Sequence, residues 1–194
     1  MGKTRLEAFS DGVIAILITI MVLEFKTPEG HDWAALRLLT PKFCAYALSF
    51  VFLGIYWNNH HHMFHLTKQV TGAILWANLH LLFWLSLVPF ATAWMGETRV
   101  APVPTAVYGG ILLLAGVAYY ILKTAIITSQ GPHSPLQAAV GSDTKGKISP
   151  VMYAIAIPMA FVNPWISAAI YVAVALMWLV PDPRIEKHFR DAAR

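Results

Sequence analysis

Charge is the scarcest property of this chain. Asp, Glu, Lys and Arg make up 12% of its 194 residues, against 57% hydrophobic ones. Segments 70–96 and 100–122 hold no ionisable carboxylate, ammonium or guanidinium group, and neither does the shorter segment 43–57. So little charge excludes a water-soluble domain and identifies a membrane protein. A single cysteine, Cys44, excludes an internal disulfide, and in its apolar segment it reads as a small packing hydrophobe. No nucleotide-binding loop, nucleophile elbow or paired-carboxylate site is present, so enzyme chemistry is not expected. The 14 cationic residues outnumber the 10 acidic ones, but they are scattered along the chain and form no face for nucleic acid.

What is present is helix of spanning length. Crossing the hydrocarbon core takes about 20 residues at roughly 1.5 Å each. The uncharged stretch 148–180 is too long for one span and is broken at Asn163-Pro164, because proline disfavours helix at the residue before it. The fold expected is all-α: one domain of six transmembrane helices at about 5–25, 41–62, 70–95, 102–127, 148–162 and 164–181. A flexible loop is expected at 129–147 and a cytoplasmic tail at 182–194. The first run keeps Glu7 and Asp11 near its start and has no small-residue cleavage site at 23–26, so it should remain as a helix.

Lys and Arg placement sets the orientation. With the N-terminus inside, Lys3, Arg5, Lys68, Lys123, Lys145, Lys147, Arg184, Lys187, Arg190 and Arg194 fall on the inner side. Lys26, Arg37, Lys42 and Arg99 fall outside. Ten against four places both termini in the cytoplasm. Trp33, Trp57, Trp76 and Trp94 lie near the ends of spans, where they suit either the headgroup layer or packing between helices.

The first span carries the sharpest pattern. At 100° per residue Phe9, Gly12, Ile16, Ile20 and Leu23 share one face, with Thr19 and Val13 at its edges. A stripe at i, i+4 and i+7 is ordinarily a packing seam; the other reading is a face that lines a path. The histidines offer a rival site. His60, His61, His62 and His65 cluster at the inner end of the second span, and His61 with His65 has the i, i+4 spacing of metal ligands. No Asp or Glu lies between Asp32 and Glu97 to complete a catalytic set, so interfacial histidines are favoured over a membrane metal-binding or metal-transport protein. A proton-sensitive gate is a third reading of the same cluster. His80, in mid-span, is expected to face protein and make a structural hydrogen bond rather than relay protons.

Arg5, Phe9, Ser10 and Asp11 head the first span, Trp57-x-x-His60-His61 follows in the second, and Asn78 with Pro89-Phe90 lies in the third. Together they resemble the bacterial homologues of the endolysosomal potassium channel. The resemblance implies a bacterial inner-membrane protein, a homotetramer whose pore is lined by the first helix, and potassium as the permeant ion with no cofactor. It places the constriction at Ile16, further apolar rings at Ile20 and Leu23, and a threonine layer at Thr19. The Thr-Val-Gly-Tyr-Gly filter of ordinary potassium channels is absent, and Thr105 to Gly110 only imitates it at the start of an apolar helix. Selection would come from partial dehydration at a narrow apolar ring. Arg5, Phe9, Ser10 and Asp11 would then serve outside the filter. Asp11 faces away from Ile20, toward donors on Trp57, His60, His61, Asn78 and His80, in a network that anchors the pore helix.

Overall fold

The computed structural model describes residues 2–132, 134–141 and 143–179. Among them every regular element is helical. They are α1 (Lys3–Leu23), α2 (Trp33–Arg37), α3 (Thr40–His65), α4 (Gly72–Ser86), α5 (Val88–Glu97), α6 (Pro102–Gln130), α7 (Pro135–Val140), α8 (Thr144–Val162) and α9 (Pro164–Leu179). Arg184, Lys187, Arg190 and Arg194, together with the tail expected at 182–194, lie outside the described residues.

Local chemistry sets the boundaries. Thr71 caps α4 by accepting the Ile74 N–H, and Ser134 caps α7 from Gln137. Proline occupies the first turn of α3, α5, α6 and α7, where its missing N–H costs nothing. Pro89 also divides the helix expected over 70–95. It cannot donate to Leu85, so the chain turns at Leu87 and restarts as α5, still nearly collinear enough that Gly72–Glu97 counts as one apolar stretch. At the other end Asn163 leaves helical geometry at φ −156° and accepts the Trp165 N–H at 3.0 Å, turning α8 into α9. The segment 129–147, expected to be a flexible connector, instead finishes α6, forms α7 and begins α8.

Among the described residues three helical stretches are long and apolar enough to cross a membrane: Lys3–Leu23, Gly72–Glu97 and Pro102–Gln130. Pro164–Leu179 is apolar but shorter. Although 26 residues long, α3 has a second half diluted by Asn58, Asn59 and four histidines.

The core is organised around α6, which packs on α4, α5, α8 and α9. Gly109 lets Tyr171 of α9 press against α6; a Cβ there would collide with the Tyr171 hydroxyl, which donates to the Thr105 carbonyl at 3.0 Å. A small polar chain crosses the apolar interior. Thr92 commits its proton to Val88 O, so Ser49 donates to Thr92 at 2.6 Å and Tyr108 donates to Ser49 at 2.9 Å, joining α5, α3 and α6. Each hydroxyl of this chain of three is satisfied, as a low-dielectric interior demands. Lys123, in the helix expected at 102–127, lies within α6, 7% exposed, paired with Asp143 at the head of α8.

Candidate functional site

The two faces of α1 have opposite fates. Leu6, Ser10, Ile14, Leu17 and Met21 are buried, at the spacing of one helical face, against α3, α4 and α5. On the opposite face Ile16 is 60% exposed, Ile20 43% and Leu23 79%. Phe9 toward the N-terminal end is half-exposed, and Gly12 has open space where a Cβ would go. Thr19 lies on the exposed face and donates its hydroxyl proton back to the Ala15 and Ile16 carbonyls, at 3.1 and 3.0 Å. Its oxygen lone pairs are thereby turned outward, the orientation a cation needs.

The buried face of α1 is held by a directed hydrogen-bond chain. Ser10 donates to Leu6 O at 2.9 Å and accepts from Asn78 Nδ2 at 2.9 Å. Asn78 in turn accepts at Oδ1 from His60 Nε2, 2.8 Å away, which fixes a proton on that ring nitrogen. Ser10 and Asn78 are fully buried, His60 nearly so, and its ring stacks on Phe64 with centroids 4.5 Å apart. Three helices, α1, α4 and α3, are tied at one point by this chain. A second tie lies nearer the surface: Trp57 Nε1 donates to Asp11 Oδ1 at 3.1 Å, and His61 stacks on the same indole at 6.4 Å.

The structure therefore brings together Ser10, Asn78 and His60, and separately Asp11, Trp57 and His61. It does not bring His80 to either group. Asn78 and His80 are two residues apart on α4, about 200° around the helix, so both cannot face α1. His80 is exposed instead and accepts a hydrogen bond from Trp84 on its own helix at 2.9 Å. Arg5 is likewise exposed: its backbone N–H donates to the Gly2 carbonyl at 3.2 Å, but its guanidinium makes no hydrogen bond or ion pair among the described residues. One tie was not foreseen: Lys3 Nζ donates to the His65 carbonyl at 3.1 Å, pinning the N-terminal end of α1 to the C-terminal end of α3. Its only sequence signal is a cation six residues, nearly two turns, before the Phe-Ser-Asp run.

The histidine cluster does not assemble a metal site. The His61 and His65 rings lie 6.4 Å apart and tilted by 34°, and among the described residues no three His, Cys, Asp or Glu side chains converge.

Comparison with known proteins follows this geometry. The family described as endosomal/lysosomal potassium channel TMEM175 matches residues 5–89, which contain both ties and the whole exposed stripe. A protein of Chryseobacterium sp. named as a potassium channel is 53% identical over 98% of this chain and all of its own length. Another so named, from Streptomyces collinus, is 32% identical over 94% of this chain and 95% of its own. A crystal structure of a lysosomal potassium-selective channel TMEM175 homolog from Chamaesiphon minutus superposes with a TM-score of 0.80 at 30% identity, covering 92% of this chain and 96% of that one. These relatives are named as ion channels, not enzymes, and none points to metal transport. On the strength of near-complete coverage at this identity, the chain belongs to the TMEM175 family of membrane channels.

Proposed function

We propose that the protein is a potassium-selective channel of the bacterial inner membrane, formed by four copies of the chain around a shared pore lined by α1. The relatives' names supply the ion, and the exposed Ile16, Ile20 and Leu23 face supplies the reason for assembly. A single helix cannot enclose a path, whereas cyclic repetition of one face does. In this reading Ile16 forms the narrowest ring, with Ile20 and Leu23 beyond it toward the outer end. A ring of branched aliphatic side chains supplies no oxygen, so an ion that passes must shed part of its water, and potassium surrenders water more readily than sodium. Thr19 returns some oxygen contact. A small rotation of α1 closes the path by expelling water from an apolar constriction.

Six spans are proposed: α1, α3, α4 with α5, α6, α8 and α9, with both termini in the cytoplasm as the Lys and Arg asymmetry favours. The ties at Ser10–Asn78–His60 and Asp11–Trp57 act as anchors that set the angle of α1, not as the filter.

The observation that carries the reading is the division of α1 into a polar-anchored buried face and an aliphatic exposed face. It is tested in planar bilayers with potassium on one side and sodium on the other. A reversal potential displaced toward that of potassium is expected; a reversal at zero removes selectivity, and absence of current removes the channel. Ile16→Asn should raise the current and lower the selectivity, because an amide wets the ring. Unchanged conductance would take Ile16 out of the constriction.

A further inference from the structure

Far from α1, a cavity of about 50 Å³ opens between α3, α6, α8 and the end of α9. Its walls are largely aromatic, and they turn several polar groups toward space that water can reach. Tyr153 is only 3% exposed and lines this space, and its hydroxyl has no hydrogen-bond partner among the described residues. Tyr56 and Tyr119, half-buried, line it from α3 and α6, and their hydroxyls likewise have no hydrogen-bond partner among the described residues. Pro150, also in the wall, has no N–H to offer the Gly146 carbonyl one turn earlier, so that acceptor loses its helical donor where it borders the cavity. The fourth side is the Lys123–Asp143 ion pair. Lys123 lies over the Tyr120 ring at 4.6 Å, and Asp143, held in left-handed geometry at φ 46°, caps α8 by accepting the Gly146 N–H at 3.2 Å.

Buried hydroxyls and carbonyls are almost always satisfied, by protein or by ordered water. The space is commensurate with that need: at roughly 10–15 Å³ per water, it accommodates about three to five. Each such water has several polar groups to bridge, which distinguishes this site from a dry apolar void. We infer that the cavity is a structural hydration site, in which a small water cluster links the Tyr56, Tyr119 and Tyr153 hydroxyls to the Lys123–Asp143 pair and replaces the helical hydrogen bond that Pro150 removes. The cluster solvates an ion pair held inside a membrane domain and fastens the head of α8 to α6. This inference is independent of the pore assignment, since no residue of α1 takes part.

Hydroxyl-radical footprinting with X-ray pulses on the intact protein tests it, because radicals formed in bound water label the side chains that touch it. Tyr153 should be oxidised severalfold faster than Tyr171, which is equally buried but bonded to the Thr105 carbonyl. Equal, slow labelling of the two overturns the inference. Thermal unfolding gives a second readout. Tyr153→Phe keeps the ring contacts to Phe52 and Tyr171, and should lower Tm by about 2–4 °C. Combined with Asp143→Asn the losses should fall short of additive, since both changes break the same network. A variant as stable as the parent, or strictly additive losses, would show that the hydroxyl bonds no shared water.

Discussion

Ser10 is a residue whose type is explained only by its partners. Small enough to let α4 approach, it spends its proton on its own helix and its lone pairs on Asn78, so a polar atom is buried at no net loss. Asn78 is the member that cannot be spared, because it answers Ser10 and His60 at once. Asn78→Ala leaves two buried groups unanswered, at about 1–3 kcal/mol each. Asp11→Ala frees only the Trp57 N–H, on a side chain 47% exposed, where water substitutes. Both variants should reduce the assembled fraction seen by size exclusion and lower Tm, Asn78→Ala by clearly more, while the reversal potential of whatever assembles stays unchanged. The opposite order, or normal assembly with altered selectivity, would transfer the anchoring role elsewhere. Thr19→Val keeps the shape and removes the outward oxygen; a few-fold fall in potassium preference at similar current is expected in bilayer recordings. Sequence alone marked Ser10, Asn78, His60 and His80 as polar within spans but could not say which meet. The 200° between positions 78 and 80 was legible from helix geometry; which of the two faced α1 depended on how α4 is rotated, a property of the whole bundle.

Elements were legible to the extent that their causes are local. Asparagine and proline at 163–164 marked the α8–α9 turn, and apolar length marked α1 and α6, because both signals act within a few residues. The break at Leu87 also has a local cause in Pro89, but apolar continuity through 70–96 masked it. The connector at 129–147 misled for a physical reason: Gly, Pro and Ser lower helix propensity, yet here Ser134 and Asp143 act as caps that start helices and Gly131 and Gly141 take the positive φ that ends them. Packing between elements left still less trace in sequence. Gly109 looks like a helix-weakening residue in α6 until Tyr171 is seen against it. Gly109→Ala raises helix propensity and would stabilise an isolated α6. In the bundle the new methyl must displace a buried tyrosine and its bond to Thr105, so overpacking of about 1–3 kcal/mol should dominate. A Tm lower than the parent's is expected, and Gly109→Ala combined with Tyr171→Phe should recover part of it. A rise in Tm on Gly109→Ala alone would mean that α9 is not pressed on α6 as described.

At the scale of the whole molecule the periodicity of α1 was readable from the first span, while the fate of its two faces was not, since a packing seam and a pore lining share one spacing. Burial separates them. The face of Leu6, Ser10, Ile14, Leu17 and Met21 is used up within the chain, leaving Ile16, Ile20 and Leu23 for lipid or for other copies. Lipid would accept those side chains at no cost, so exposure by itself does not choose. What favours a shared axis is the asymmetry of effort: two polar ties and the Lys3–His65 bond fix the rotation of α1, and lipid contact needs no fixed rotation. Proximity of four copies is then directly measurable. With Cys44 replaced by serine, Ile16→Cys should cross-link between chains on mild oxidation, whereas Ile14→Cys, 1% exposed on the opposite face, should not. The uncross-linked assembly should have a protein mass of about 86 kDa, four times the 21.5 kDa chain, by native mass spectrometry. Cross-linking at position 14 in preference to 16, or a monomer in lipid nanodiscs, would turn the stripe outward to the bilayer and leave the chain with no enclosed path for an ion.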